Sequence, residues 1–184
     1  MIVLMGPTGS GKGEQGDRLI RKLGWPRIST SDILRRTQDT KIRQKILRGE
    51  LVSDQEMLAL LEAELKKIDT PNQEFILDGA PRSVPQAEWL VKNLRSGQLK
   101  LTAIIHLNVP KQELLKRLLT RGRDDDSEAA ILKKIEEYEL KTAPVLDYLR
   151  RQGVKVYKVN GSGPPEQVEA RIQEILEKAQ NESA

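Results

Sequence analysis

The sequence predicts an α/β fold in three layers, in which a five-stranded parallel sheet carries helices on both faces. Short apolar or β-branched runs recur along the chain with helical patterns between them, which is the alternation typical of a parallel sheet. The chain has 184 residues, enough to build one domain with a substantial core. No repeat or linker divides it, so residues 1–184 are expected to form a single domain. The five runs are Ile2–Met5, Arg27–Ser29, Phe75–Leu77, Thr102–Val109 and Val154–Val159.

The first run leads directly into Gly6-Pro7-Thr8-Gly9-Ser10-Gly11-Lys12. The spacing Gly-x-x-x-x-Gly-Lys, set before a helical pattern from Gly13 to Leu23, predicts a phosphate-binding P-loop. Glycines allow successive backbone N–H groups to turn towards an anion. The helix dipole and Lys12 add positive charge. A plain Gly-rich turn is the alternative, but the strand, loop, lysine and helix occur in the order of a P-loop NTPase fold.

Between the second and third runs the pattern is wholly helical. Ser53 or Asp54 could cap a helix whose leucines share one face. We expect two helices here, forming a small subdomain of about residues 30–60 over the edge of the sheet.

The last third of the chain contains three interruptions of helical pattern. The polar stretch 120–126 separates two helices, and Ser127 begins the second. Pro144 is expected to kink or divide the helix that follows. The loop 160–165 starts the last helix with proline in its first turn.

Composition excludes several classes of protein. The chain has no cysteine, so it forms no disulfide framework and no thiolate zinc site. No apolar stretch approaches the ~20 residues of a membrane span. Met1 leads into the first strand without a charged segment or cleavage site, so we expect a cytoplasmic protein. The net charge of +4 favours anionic ligands, but aromatic residues at 3% are too few for a base-stacking platform, which argues against nucleic acid as a partner.

Arginine and aspartate supply the candidate chemistry. The single histidine, His106, lies within a strand, where a structural role is expected. Asp78 ends the third strand, and a carboxylate there is well placed to hold Mg²⁺, directly or through water; a turn cap is the alternative. Arginines near turns or element ends suit a site that holds several phosphates. They are Arg35, Arg82, Arg117, Arg121 and Arg123.

Several segments together resemble the signature segments of adenylate kinases, within the nucleoside monophosphate kinases. Their order and spacing agree over nearly the whole chain. The segments are 6–13, 28–35, 75–82, Gln86-Ala87, Arg121-Gly122-Arg123 with Asp125-Asp126, and Thr142-Ala143-Pro144.

The resemblance implies the reversible reaction ATP + AMP ⇌ 2 ADP with Mg²⁺ and without zinc. It makes residues 30–60 the monophosphate-binding subdomain and 121–132 a very short lid. Asp78 would orient waters on Mg²⁺, and Gln86 would offer adenine both a donor and an acceptor. On this analogy ATP is bound by Gly9, Ser10, Gly11, Lys12, Gly13, Arg117 and Gly161, while AMP is bound by Thr30, Arg35, Val52, Gly79, Arg82 and Gln86. Lys12, Arg82, Arg117, Arg121 and Arg123 would surround the transferring phosphoryl group.

The chain departs from the family pattern at several positions. Glu14 stands where a small hydroxyl residue is usual, and we expect it to turn outward and pair with Arg18 one helical turn on. Ala80 replaces an aromatic residue, and Ser31 replaces a glycine. Thr30 could also act as a helix N-cap.

Two other functions remain open from the sequence alone. A pyrimidine or broad-range monophosphate kinase would use the same parts, and Ala80 weakens the argument for AMP. A non-catalytic P-loop protein that binds nucleotide or RNA is the alternative from another class. Monomer is the expected oligomeric state.

Overall fold

Five parallel strands form one sheet in the order β2–β3–β1–β4–β5. The computed structural model describes residues 1–47, 52–70, 72–121 and 127–183. The predicted fold class, a parallel sheet between layers of helices, is confirmed. The strands are β1 Ile2–Met5, β2 Arg27–Ser29, β3 Ile76–Asp78, β4 Ala103–Asn108 and β5 Val156–Asn160.

The predicted limits of the last three strands were wrong by one or two residues. Phe75 and Val109 were placed inside strands because they are apolar. Both are buried, at 1% and 7% exposure, but they lie outside the hydrogen-bonded strands. An apolar pattern indicates which residues are buried, and buried residues continue beyond the last hydrogen-bonded pair of two parallel strands.

The helices described by the structure lie between these strands and after β5. Pro144 lies in the first turn of α8, directly after a π-helical segment, so the predicted division of this helix is confirmed. Proline also occupies the first turn of α9, as expected. The helices are α1 Lys12–Leu23, α2 Thr30–Arg36, α3 Thr40–Leu47, α4 Asp54–Leu65, α5 Val84–Arg95, α6 Lys111–Arg121, α7 Glu128–Glu137, the π-helix Tyr138–Thr142, α8 Ala143–Arg151 and α9 Pro165–Ser183.

Both faces of the sheet are covered. Side chains of β1 alternate between the two faces, and all four are buried. Ile2 and Leu4 pack in a core with apolar residues of α1 and α9. Val3 and Met5 pack in a second core with residues of α4, α5 and α8. This arrangement places the carboxyl ends of all five strands at one edge of the sheet, where ligands of α/β folds bind.

Three helices, not two, occupy the described residues between β2 and β3. The Asp39 carboxylate accepts hydrogen bonds from the N–H groups of Lys41 and Ile42, at 2.9 and 3.1 Å, and so starts α3 as a separate helix. The start of a helix inside a polar stretch cannot be predicted from hydrophobic periodicity. Ser53, rather than Asp54, caps α4, in a reciprocal capping box with Glu56.

None of the helices in the described part of the chain is both long enough and apolar enough to cross a membrane.

Candidate active site

The loop between β1 and α1 has the backbone conformation of an anion cradle. Gly9 and Gly11 have φ angles of 79° and 95°, which residues with a Cβ rarely adopt. Space is also limited at Gly9, since a Cβ there would lie 2.9 Å from the Leu118 side chain on α6. Glycine is therefore required at position 9 by both conformation and packing.

Lys12, the first residue of α1, bends back over this loop. Its Nζ donates to the carbonyl oxygens of Gly6 and Pro7, at 2.8 and 2.9 Å. The pKa of Lys12 is lowered to about 8, mainly by burial; Asp78 opposes this change, and the positive charges of Arg82 and Arg121 act in the same direction as burial. Lys12 thus lies at the point where charges from three segments of the chain meet.

Asp78 ends β3, the neighbour of both β1 and β2. Its Cα is in register with Leu4 on one side and Ser29 on the other. The side chain is 8% exposed, and burial raises its pKa, although the charges of Lys12, Arg27 and Arg82 oppose that change.

A single buried carboxylate beside a phosphate cradle suits Mg²⁺, which proteins hold through one or two carboxylates, waters and substrate phosphates. The described ranges contain no group of three or more His, Asp or Glu side chains that could enclose a metal on their own. The donor set therefore fits Mg²⁺ bound together with nucleotide.

Arg82, in the turn between β3 and α5, packs against the end of β3. Its Nε donates to Gly79 O at 2.6 Å, and Thr30 Oγ1 donates to the same oxygen at 3.1 Å. Burial lowers the pKa of Arg82. Gly79 has φ = 87°, and a Cβ there would lie 2.8 Å from Arg82 Nη2. Ser31 Oγ accepts from Arg82 Nη2 at 3.5 Å, so the residue that replaces the family glycine touches this arginine.

Thr30 does not cap α2. Ser29 precedes the helix, and its Oγ accepts the N–H of Asp32 at 3.4 Å. Thr30 is the first helical residue, is 2% exposed, and faces the end of β3. The alternative role considered for Thr30 is therefore wrong.

Gln86 is held at both ends of its carboxamide. Its Oε1 accepts from the backbone N–H of Arg82 at 2.8 Å, and its Nε2 donates to Asp54 Oδ1 at 2.7 Å. Thr142 Oγ1 donates to Arg82 O at 3.0 Å, so the backbone of Arg82 is bound on both sides. Val52 is partly buried against the same core as α4 and α5.

Asp54 was considered in the sequence only as a helix cap. A carboxylate at a helix start gives no sign that it also binds a side chain 32 residues away. Only the packing of α4 on α5 brings the two together.

Arg117 joins α6 to the loop after β5. Its Nη2 donates to Glu113 Oε1 at 2.5 Å and to Gly161 O at 2.9 Å. A Cβ on Gly161 would lie 2.7 Å from Val109 Cγ2 and 3.3 Å from Ser10 O, so this loop packs directly against the P-loop.

The remaining predicted arginines differ in their placement. Arg121 lies close enough to Lys12 to lower its pKa. Arg35 is largely exposed, with 62% of its side chain accessible, and pairs with Asp32. Arg123 lies outside the described residues, as do all of residues 122–126 within the predicted lid 121–132.

Glu14 turns away from the cradle, as expected. Its Oε1 accepts from Arg18 Nε at 2.8 Å, and 48% of its side chain is exposed. The same guanidinium also binds Glu166 and Glu169 of α9, at 2.5 and 2.9 Å. Arg18 therefore links α1 to α9 and retains the Glu14 charge on the outer side of α1.

His106 has the structural role expected for it. Its Nε2 lies 2.6 Å from the Tyr138 hydroxyl, and the two rings are parallel within 3°. Burial lowers the pKa of His106 to about 4, and the charges of Lys158, Arg150 and Lys12 act in the same direction. The imidazole is thus neutral at neutral pH.

The chain matches one family of known proteins over most of its length. The adenylate kinase family model matches residues 4–154. An adenylate kinase from Mycobacterium sp. (strain MCS) is 42% identical over 181 residues, covering 95% of this chain and 98% of the relative. One from Parasynechococcus marenigrum is 38% identical over 181 residues, covering 95% and 97%. One from Thermus thermophilus is 36% identical over 185 residues, covering 95% and 96%.

Proposed function

The chain belongs to the adenylate kinase family, and we propose that it transfers a phosphoryl group reversibly from Mg²⁺-bound ATP to AMP, giving two molecules of ADP. The observation that carries the assignment of the site is the convergence of Lys12, Asp78, Arg82 and Arg121. These groups come from three segments of the chain and act on one another's charge beside the P-loop. Nothing in the comparisons favours a pyrimidine kinase or a non-catalytic nucleotide-binding protein.

The donor nucleotide binds at the P-loop. The backbone N–H groups of Gly9 to Gly13 surround its phosphates, and Lys12 exchanges its two carbonyl partners for phosphate oxygens. Arg117 and Gly161 border the site on the side of α6 and β5.

The acceptor nucleotide binds between the end of β3 and the helical insertion of residues 30–60. Arg82 and Arg35 bind its phosphate as bidentate donors. Its base lies along the backbone of Val52. The remaining contacts come from Thr30 and Gly79 beside the base and sugar, and from Gln86, which binds the edge of adenine.

Transfer itself requires positioning and neutralisation of charge rather than a covalent group on the protein. Lys12, Arg82, Arg117, Arg121 and Arg123 supply the positive charge around the transferring group. Loss of one pre-positioned donor of this kind typically costs about 3 kcal/mol of transition-state stabilisation. The short segment 121–132 acts as a lid that carries the last two arginines.

When bound, Mg²⁺ would neutralise part of the charge on the phosphates. Asp78, whose buried carboxylate ends β3 among these cations, would hold the ion through its bound waters. The enzyme acts as a cytoplasmic monomer, with nucleotides rather than nucleic acid as its partners.

A coupled assay with a panel of acceptors tests this function. AMP, dAMP, CMP, UMP and GMP are compared at saturating Mg²⁺–ATP, and the Lys12→Ala variant serves as the blank. We expect AMP to give the highest kcat/KM and the blank to lose nearly all turnover. A higher kcat/KM for CMP or UMP, or turnover unaffected in the blank, would contradict the proposal.

A further inference from the structure

The Gln86 carboxamide is fixed in one of its two possible orientations. Its carbonyl faces a group that only donates, the Arg82 backbone N–H at 2.8 Å. Its amino group faces a group that only accepts, the Asp54 carboxylate at 2.7 Å. A flipped amide would place donor against donor at one end and acceptor against acceptor at the other. The chemistry of the two partners therefore determines the orientation.

This orientation leaves part of the carboxamide available. Nε2 has two hydrogens, of which one is bound to Asp54, and Oε1 has two lone pairs, of which one is bound to Arg82. The remaining donor and acceptor match N1 and the 6-amino group of adenine. Hypoxanthine has a carbonyl at position 6 and a hydrogen on N1, so the same two positions would repel it.

Asp54 is held rigidly in place. It is the first residue of α4, behind a capping box formed by Ser53 and Glu56. Its Oδ1 also accepts from Ser83 Oγ at 2.7 Å, and Ser83 in turn caps α5. Asp54 therefore ties the starts of two helices together and presents one oxygen to Gln86.

We propose that Asp54 is a positioning residue that fixes the orientation of the Gln86 carboxamide and thereby sets the preference for adenine over a 6-oxopurine in the acceptor nucleotide. The proposal rests on the proposed function, because it assumes that Gln86 binds the acceptor base. It adds a residue that does not touch the base.

The test compares AMP with inosine monophosphate, which differs from AMP at position 6 and N1 of the purine. Asp54→Asn retains the size of the side chain but can turn its own amino group towards Gln86, so that only the Arg82 N–H still opposes the flipped carboxamide. We expect the ratio of kcat/KM for AMP to that for inosine monophosphate to fall about 10-fold or more, as for a lost hydrogen bond to a charged group. The change should arise mainly from KM for the two acceptors, with KM for ATP unchanged.

Ser53→Ala is the matched control. It weakens the start of the same helix but leaves both partners of Gln86 in place, so the ratio should stay within about 2-fold of the parent. If Asp54→Asn folds poorly, as judged by its thermal midpoint, Asp54→Ser replaces it, since serine suits a helix start but is too short to reach Gln86. The same loss of selectivity is expected from it.

A double-mutant cycle separates this role from a general structural one. In a Gln86→Leu background, Asp54→Asn should leave the ratio unchanged, because no amide remains to be oriented. A parent enzyme that prefers AMP but keeps its ratio in Asp54→Asn would overturn the positioning role alone. A change of the ratio by Asp54→Asn in the Gln86→Leu background would also overturn the positioning role. A parent enzyme without AMP-dependent turnover would overturn the proposed function itself.

Discussion

Glu14 offers a direct test of how the chain places a negative charge in the first turn of its phosphate-binding helix. In the structure the carboxylate is bound to Arg18, at 2.8 Å, on the outer side of α1. If it faced the nucleotide instead, a carboxylate about 6 Å from a phosphate would cost about 3 kcal/mol at an effective dielectric near 20. That energy corresponds to about 100-fold in the Kd of ATP.

The observed pose predicts a much smaller effect. The Glu14 charge is paired with a guanidinium that two further carboxylates, Glu166 and Glu169, hold in position. About half of the Glu14 side chain is exposed, so solvent and salt screen its charge from a ligand on the other side of the helix turn. We therefore expect Glu14→Thr to change the Kd of ATP by less than about 3-fold.

Isothermal titration calorimetry of ATP at low and physiological salt measures this Kd. Arg18→Ala provides the complementary change, because it releases Glu14 to approach the phosphates, and it should weaken ATP binding more at low salt. The double variant Glu14→Thr with Arg18→Ala should return the Kd to near the parent value. An ATP affinity in Glu14→Thr tenfold or more above the parent would refute the outward pose.

Three further predictions concern the site and the core. Phosphate binds the charged form of Lys12, whose pKa in the free enzyme is about 8. The Kd of ATP should therefore rise with pH above 8, by up to about 10-fold per pH unit. In a Lys12→Arg variant, which stays charged, the Kd measured by calorimetry should not change with pH. His106, the single histidine, should titrate near pH 4 in NMR spectra rather than near 6.5. As pH decreases, the unfolded chain is protonated at this histidine before the folded chain is, so the free energy of unfolding should fall between pH 6.5 and pH 4, by about 3 kcal/mol at most. His106→Gln should remove that part of the loss. A titration of His106 near pH 6.5 would contradict the burial argument. Gly79→Ala should cost about 1–2 kcal/mol of unfolding free energy because position 79 has a positive φ. It should also raise KM for AMP several-fold more than KM for ATP, because the new Cβ would displace Arg82 and Thr30. Equal effects on both KM values in steady-state assays would contradict this.

The sequence predicted the features that depend on local pattern. β1, the P-loop and α1 follow from a buried apolar run, glycine spacing and an amphipathic helix, and the structure places them within one residue of the prediction. Glu14 and Arg18 could be paired because residues four apart on a helix are neighbours.

Contacts between distant segments could not be predicted in this way. The number of helices before β3 depends on the Asp39 side chain, which starts a helix inside a polar stretch. The contact of Ser31 with Arg82 and that of Asp54 with Gln86 join positions 51 and 32 residues apart. Such pairs arise from the packing of α2 and α4 near the end of β3, and no local spacing encodes them.

Three of the site's cations are bound to the protein's own backbone oxygens. Lys12 binds two carbonyls of the P-loop, while Arg82 and Arg117 each bind the carbonyl of a glycine. An arriving phosphate therefore takes part in an exchange of ligands, in which a neutral dipole leaves the cation as a charged oxygen arrives. An anion with a single charge can meet only one of these cations at a time, whereas a polyphosphate has several charged oxygens and gains at each cation that it reaches. The carbonyls should therefore favour a ligand with several charges, such as a nucleotide polyphosphate, over an anion with a single charge such as chloride.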